Sequence, residues 1–127
     1  MGQQQLLLII LGVIIVGIAI AVGLSLFSAQ SVQSNRDAII NDLNNLAAQA
    51  YQFRIRPSSM GGGQGDYTTF TVPTKMQTNE NGTYTAAPTT NTIVFTAVSA
   101  QNPSNSIKVT IDSNGQLGSW SYYGDFQ

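Results

Sequence analysis

The sequence predicts an α+β fold in which one long N-terminal helix packs against a small antiparallel sheet of three or four strands. Residues 6–27 contain no charged side chain and are almost all apolar, and the first charge in the chain is Arg36. Apolar residues then recur at spacings of three and four as far as Phe53, which is typical of one face of an α-helix. After Pro57, short β-branched and aromatic runs are separated by Gly, Asn and Ser, a pattern that predicts strands and turns.

Residues 1–27 are the first predicted segment, a half-helix that is apolar on every side. Its 22 uncharged residues at positions 6–27 would span roughly 33 Å, close to the thickness of a bilayer's hydrocarbon core. A helix of this kind is covered either by lipid or by protein. A cleavable secretory signal would begin with basic residues and carry a shorter apolar stretch, whereas the opening MGQQQ is uncharged. We therefore expect a transmembrane or filament-core helix here.

Residues 28–56 are the second predicted segment, an amphipathic continuation of the same helix. No Pro or Gly interrupts the chain between Ser25 and Arg56, so we predict one helix from about Gln3 to Phe53, ended by Pro57. Its apolar face should pack on the sheet. The residues expected in this helix–sheet core are Ile39, Leu43, Leu46, Ala50 and Phe53.

Residues 57–65 and 66–127 are the predicted Gly-rich loop and the predicted β domain. We interpret the loop as a flexible connection. Strands are expected at residues 67–72, 92–98, 106–111 and 117–123, and residues 75–90 are expected to be a polar surface excursion. Asn114-Gly115 predicts a two-residue type I′ hairpin between the last two strands. Asn81 begins an Asn-Gly-Thr sequence and is a candidate glycosylation site.

The composition narrows the possible functions. Only 9% of residues are charged and the net charge is −1, so no basic patch indicates nucleic acid as a partner. The chain has no His and no Cys, the residues that supply most general bases, thiolate nucleophiles and zinc ligands. We expect no enzymatic activity, no cofactor and no metal. The available carboxylates form no pair on one helix face or strand: Asp37, Asp42, Asp66, Glu80, Asp112 and Asp125.

Several polar and aromatic residues have two possible roles. Arg36 and Asp37 could form contacts between subunits or mark the lipid boundary, and the alternative is a solvated helix face. Arg54 and Arg56 lie in the last turn of the predicted helix, where positive charge is stabilising by roughly 0.3–1 kcal/mol. Trp120 and its neighbours on the last strand could stack on a partner or belong to the core.

The order of these segments resembles a type IV pilin or pseudopilin. The opening MGQQQLLL, together with Arg54, Arg56, Pro57 and the GGG at 61–63, also looks like that of uncharacterised bacterial pilin-like proteins. In this family the apolar half-helix holds the subunit in the inner membrane before assembly and then packs in the filament core. The sheet domains form the outer surface.

The resemblance implies a homo-oligomer, a helical filament at the cell surface with an inner-membrane precursor pool, and a pilus assembly machinery as partner. The family usually carries Glu at the fifth residue of the mature helix. Gln5 stands there if Met1 is the first residue, and it could make a hydrogen-bonded contact between subunits. Gly17 and Ala21 form a pair of small residues that allows close helix approach, or they are simply tolerated in a membrane helix. The expected filament-core residues are Leu6, Leu7, Ile10, Ile14, Gly17, Ile18, Ala21 and Leu24.

We therefore expect a structural subunit of a pilus-like filament. Two alternatives remain open at this stage. One is a single-pass membrane-anchored domain that binds a ligand or partner outside the cell, and the other is a minor pseudopilin of a secretion system.

Overall fold

The computed structural model describes residues 2–127 and confirms the α+β layout of a long N-terminal helix followed by a four-stranded antiparallel sheet. The chain divides into two compact units, the first ending at Gln33 and the second comprising Ser34–Gln127. The elements in chain order are the helix α1 (Gly2–Ile55), a 3-10 turn (Ser58–Met60), the short helix α2 (Thr74–Gln77), the strands β1 (Gly82–Pro88), β2 (Ile93–Ser99), β3 (Ser106–Ile111) and β4 (Leu117–Tyr123), and a final 3-10 turn (Gly124–Phe126).

Helix α1 is uninterrupted across both units, which confirms the predicted single helix to within two residues at each end. In the first unit its side chains are exposed as far as Gln30, and Ser31 and Val32 are half-buried. In the second unit one face is buried against the sheet. Four of the five residues expected in that face are fully buried, and Phe53 is partly exposed at the edge of the core. The buried four are Ile39, Leu43, Leu46 and Ala50.

The sheet is an antiparallel meander in which the strands are neighbours in chain order, β1-β2-β3-β4. Its core face is built by strict alternation along the two central strands. The fully buried side chains on that face are Ile93, Phe95 and Ala97 of β2 and Ile107, Val109 and Ile111 of β3. Strands β3 and β4 have the predicted bounds, and β2 lies one residue later than predicted.

The prediction for the first strand was wrong. Residues 67–72 form a turn-rich segment rather than a strand, with the Phe70 amide donating to the Tyr67 carbonyl (2.8 Å). Their apolar residues Tyr67, Phe70 and Val72 are buried, but residues 67–72 belong to none of the four strands of the sheet. Phe70 meets both Phe53 and Phe95 edge to face, at centroid distances of 5.5 and 6.1 Å.

Strand β1 instead lies inside the region predicted to be a polar excursion, residues 75–90, which also contains all of α2 except Thr74. The sequence pattern of β1 is a weak strand signal, because β1 is an edge strand and ends with Pro88. Proline, which has no amide to donate, is tolerated at such a position. On β1, Gly82 and Tyr84 are buried while Thr83 and Thr85 are exposed. Of the Asn81-Gly82 pair that looked like a loop, Asn81 lies in the bend before β1 and Gly82 is the first residue of the strand.

The Gly-rich loop caps the end of α1 rather than acting as a plain flexible connection. The amides of Gly63 and Gly65 donate to the carbonyls of Phe53 (2.8 Å) and Arg54 (2.6 Å), and the Gln64 amide donates to Arg56 (3.0 Å). The last carbonyls of a helix have no partner within the helix, so these bonds satisfy them. At Gly63 an added Cβ would overlap the backbone oxygen of Asp66, so the close approach requires glycine.

The turn between β3 and β4 is not the predicted type I′ turn. Only Gly115 has a positive φ (79°), whereas type I′ needs two such residues. The Gly115 amide donates to the Asp112 carbonyl (3.0 Å), and the Asp112 carboxylate accepts the amides of Asn114 and Gln116 (2.9 Å each). Asp112 therefore stabilises the turn from its side chain.

Strand β4 contains a bulge that the sequence pattern did not predict. Lys108 pairs with Ser121 and Thr110 with Gly118, so two residues of β4 lie opposite one residue of β3. The first of the two, Ser119, has a φ of 53°, a left-handed conformation that is strained for residues other than glycine.

We expect Ser119→Val to lower the free energy of unfolding by about 1–2 kcal/mol, because a β-branched residue is disfavoured in this conformation. Ser121→Val is the matched control, since it places the same side chain two residues later without a positive φ. Urea unfolding of both full-length variants checks the prediction. Equal midpoints for the two variants would contradict it.

Candidate functional site

The first unit presents a continuous apolar surface. Every large apolar side chain between Leu6 and Phe27 is exposed, by 52% to 73%. Soluble monomers rarely expose apolar patches beyond a few hundred Å². The helix is long and apolar enough to cross a membrane, judged by length and composition. This surface contains all eight residues expected in a filament core, and Gln5 is exposed one residue before them.

The small-residue pair on this helix is open to a neighbour. A Cβ built on Gly17 meets no atom within 4 Å, and the same is true at Gly12. Ala21 lies four residues after Gly17 on the same helix and is also exposed. Within residues 2–127 no side chain covers this position, so a second helix could approach it closely.

In the second unit, Arg36 is bound within its own unit. Its Nε donates to the Phe126 carbonyl (3.3 Å), and its guanidinium lies 4.4 Å from the centre of the Tyr122 ring. Tyr122 stacks on Trp120 with the ring planes 5° apart and the centroids 6.2 Å apart. Arg36 therefore fixes the C-terminal turn and the edge of β4 to α1. Its neighbour Asp37 is exposed.

Asp42 is the centre of a polar cluster that joins α1 to the start of β1. Its Oδ2 accepts hydrogen bonds from the Tyr84 hydroxyl (2.5 Å) and from Nδ2 of Asn79 and Asn81 (2.9 Å each). Partial burial raises the pKa of Asp42, but the three hydrogen bonds outweigh it and hold the pKa below its ordinary value. Burial and the neighbouring carboxylate raise the pKa of Tyr84.

This cluster contains the candidate glycosylation site. Nδ2 of Asn81 is the atom that would carry a glycan, and it is the atom that donates to Asp42. The Asn81 side chain is partly buried in this arrangement. In the folded unit, Asn81 therefore has a structural role of its own.

We expect Asp42→Ala to lower the free energy of unfolding by about 2–3 kcal/mol at pH 7, because the nearly buried Tyr84 hydroxyl loses a charged acceptor. The folded-state pKa of Asp42 is lowered, so its stabilisation is complete above about pH 4 and is lost as the pH falls through the folded value. Urea unfolding at pH 7 and pH 3 measures both effects. In Asp42→Asn, the free energy of unfolding should differ less between pH 7 and pH 3 than it does in the wild type. A difference as large as that of the wild type would contradict this assignment.

Asn35 is a buried polar residue that sequence reasoning missed. Its Nδ2 donates to the Asn81 carbonyl (3.0 Å), and its Oδ1 accepts from the Ser99 hydroxyl (2.5 Å). It lies four residues before Ile39, so helical spacing places it on the apolar face. That position is the only sequence signal of its burial.

Arg54 ties the end of α1 to the β3–β4 turn. Its guanidinium donates to the Ser113 carbonyl and to Oδ1 of Asn91, and it lies 5.2 Å from the centre of the Tyr67 ring. The Tyr67 hydroxyl donates to the Asp112 carbonyl (2.8 Å). The helix-terminal position of Arg54 is as predicted, and the structure adds these tertiary contacts.

Three open grooves on the second unit differ in their lining. One, of about 480 Å³, has Phe53, Phe70 and Arg56 among its lining residues. A second, of about 570 Å³, runs beside β1 and is rich in threonine. A third, of about 320 Å³, lies at the β3–β4 turn and includes Asp112, whose carboxylate accepts the amides of Asn114 and Gln116.

Comparisons of the chain with models of protein families, with curated proteins and with solved structures find no match.

Proposed function

We propose that the chain is a structural subunit of a helical, pilus-like filament at the cell surface. The observation that carries this proposal is the uninterrupted helix α1, whose apolar side chains at residues 6–27 are all exposed and whose later part is the stem of a small sheet domain. In a filament, copies of the same helix would cover one another's apolar surface, while the sheet domains would form the exterior. The layout is that of the pilin-like proteins that the sequence resembles.

The energetics support an assembly that starts in a membrane. Removing 22 largely apolar residues from water is worth tens of kcal/mol, at roughly 25 cal/mol per Å². Transfer of the same residues from a lipid bilayer into the filament core releases much less free energy than transfer from water. Packing in the filament therefore depends on close van der Waals fit. We therefore propose an inner-membrane precursor pool and an assembly machinery that extracts the subunit.

The proposed contacts between copies are of two kinds. The apolar contacts use the eight residues named above, with the open Gly17 position allowing close approach. Gln5 is exposed and can donate and accept hydrogen bonds with a neighbouring N-terminus. An amide cannot neutralise an ammonium group, so this contact is weaker than one made by a carboxylate.

A second candidate function is a single-pass membrane-anchored domain. The observation that favours it is that the same helix is long and apolar enough to span a bilayer. The two candidates differ in what covers residues 6–27 in the mature state: copies of the chain in a filament, or lipid in an anchor.

Fractionation of cells that express the chain distinguishes them. The filament proposal predicts that shearing releases the chain from the cell surface in a form that sediments at high speed. Exclusive recovery as a monomer in the detergent-soluble membrane fraction would overturn the filament proposal and favour the anchor.

A further inference from the structure

The sequence contains two Asn-Gly pairs, Asn81-Gly82 and Asn114-Gly115, and the fold holds them differently. In such a pair the amide nitrogen of the glycine can attack the side-chain carbonyl carbon of the asparagine. Glycine favours this reaction because it has no Cβ to crowd its nitrogen and its backbone reaches conformations closed to other residues. The reaction therefore depends on how freely the asparagine side chain and the glycine amide can move.

The first pair, Asn81-Gly82, is fixed by hydrogen bonds on both residues. Nδ2 of Asn81 donates to the Asp42 carboxylate (2.9 Å). The Gly82 amide donates to Oδ1 of Asn79 (3.1 Å). The Asn81 carbonyl accepts from Nδ2 of Asn35 (3.0 Å). A bond between the Gly82 nitrogen and the Asn81 side chain cannot form while these contacts hold, so the reaction requires local opening of the cluster.

The second pair, Asn114-Gly115, lies in the β3–β4 turn, and the Asn114 side chain is exposed. Within residues 2–127 its hydrogen bond is made by the backbone amide, to the Asp112 carboxylate (2.9 Å), and none is made by the side chain. The Gly115 amide donates to the Asp112 carbonyl (3.0 Å), and this is the bond that the reaction must break. The pair is therefore held far less firmly than Asn81-Gly82.

We propose that Asn114 is a site of spontaneous deamidation and that the fold protects Asn81 from the same reaction. The Gly115 nitrogen bonds to Cγ of Asn114, and its proton leaves together with the side-chain amino group as ammonia. This step closes a five-membered succinimide ring. Water, the only co-reactant, then adds to one of the two ring carbonyls and opens the ring. The product is an aspartate at position 114 or an isoaspartate, in which the main chain runs through Cβ and Cγ.

Both products change the contacts of the turn. An isoaspartate lengthens the main chain by one carbon between the amides of residues 114 and 116, which both donate to the Asp112 carboxylate (2.9 Å each). Either product also places a new negative charge close to Asp112, and like charges repel. Gly115 lies close to the Tyr51 ring of α1, since a Cβ built on it would be 2.6 Å from Cγ of Tyr51. We expect the isoaspartyl form to unfold at a lower urea concentration than the unmodified chain.

Timed incubation of the purified full-length chain in detergent at mildly alkaline pH, followed by peptide mapping with mass spectrometry, tests the proposal. Each deamidation replaces an amide with a carboxyl group, which changes the mass of the peptide, and the isoaspartyl peptide elutes apart from the aspartyl one. We expect Asn114 to react at least about ten-fold faster than Asn81 in the folded chain. In N114Q the reaction at this position should fall to background, because glutamine would have to close a larger ring.

The same chain unfolded in urea is the matched control, because it keeps both Asn-Gly pairs and removes the contacts of the fold. There the two pairs should react at rates within about three-fold of each other. Slow reaction of both pairs in the folded chain, with fast reaction of both in urea, would overturn Asn114 as a deamidation site. Equally fast reaction of both pairs in the folded chain would overturn the protection of Asn81.

The variant D42A tests the cause of the protection. Asn81 loses the acceptor of its Nδ2 in this variant, so its deamidation should become faster, whereas the rate at Asn114 should stay as in the wild type. An unchanged rate at Asn81 would contradict the protection by this cluster.

Discussion

Ile18→Asp is expected to abolish filament assembly. Ile18 lies near the centre of residues 6–27 and its side chain is 59% exposed within the single chain. In the proposed filament it is covered by neighbouring helices, so the substitution would bury a carboxylate without a partner, at a cost of several kcal/mol. Electron microscopy and sedimentation of sheared surface material measure the loss. Ile18→Leu is the matched control and should assemble normally, because it keeps the volume and the apolar character.

A second variant separates assembly from membrane insertion. An Asp at the centre of a membrane helix also weakens insertion, by about 2.5–3.5 kcal/mol. Gly17→Leu keeps the segment apolar and should insert normally, but it fills the open position beside Ala21 that allows close helix approach. We expect Gly17→Leu to accumulate in the membrane and to form few filaments. Normal filaments from Ile18→Asp would contradict the buried-helix arrangement.

Gly63→Ala is expected to have the largest effect on the stability of the second unit. A Cβ at this position would overlap the Asp66 carbonyl oxygen and lie 2.9 Å from Cε1 of Phe53. The loop would have to move away from the helix end, and the bond from the Gly63 amide to the Phe53 carbonyl (2.8 Å) would be lost. We expect a loss of about 3 kcal/mol in the free energy of unfolding.

The control for this substitution is Gly118→Ala. Gly118 lies in β4, and a Cβ there meets no atom within 4 Å. Thermal unfolding of the full-length chain in detergent should show a midpoint more than about 10 °C lower for Gly63→Ala than for Gly118→Ala. Similar midpoints would show that the loop can relax without cost and that its cap on α1 is dispensable.

Much of the fold could be predicted because strong periodicity has a direct physical cause. The helical spacing of Ile39, Leu43 and Leu46 reflects a single buried face, and the alternation of β2 and β3 reflects a sheet with one covered side. In these elements local pattern and tertiary burial agree. The fold class, the long helix and three of the four strands follow from the sequence for this reason.

The wrong strand predictions concern segments in which the burial of side chains does not coincide with backbone pairing in the sheet. Tyr67, Phe70 and Val72 belong to an aromatic and β-branched run and are buried, yet their backbone forms a turn at residues 68–69 instead of a strand. Strand β1 has little apolar character because only one of its faces is covered and it lies at an edge. In both cases pairing depends on a distant part of the chain, which a local pattern does not encode.

The polar contacts of the second unit were the least predictable. Asp42 and Asn81 are separated by 39 residues, and Asn35 and Ser99 by 64. Arg36 reaches Phe126 across 90 residues. Such contacts depend on the tertiary fold, whereas the apolar surface at residues 6–27 is a property of composition alone. That is why the exposed apolar surface could be predicted and the polar contacts of the sheet domain could not.

Electron cryomicroscopy of sheared surface material from cells that express the chain tests the central proposal most directly. We expect long filaments composed of this chain, with residues 6–27 packed as helices around the filament axis and the sheet domains outside them. Filaments in which these helices face solvent or are absent from the core would contradict it, as would the recovery of the chain solely as a membrane-bound monomer.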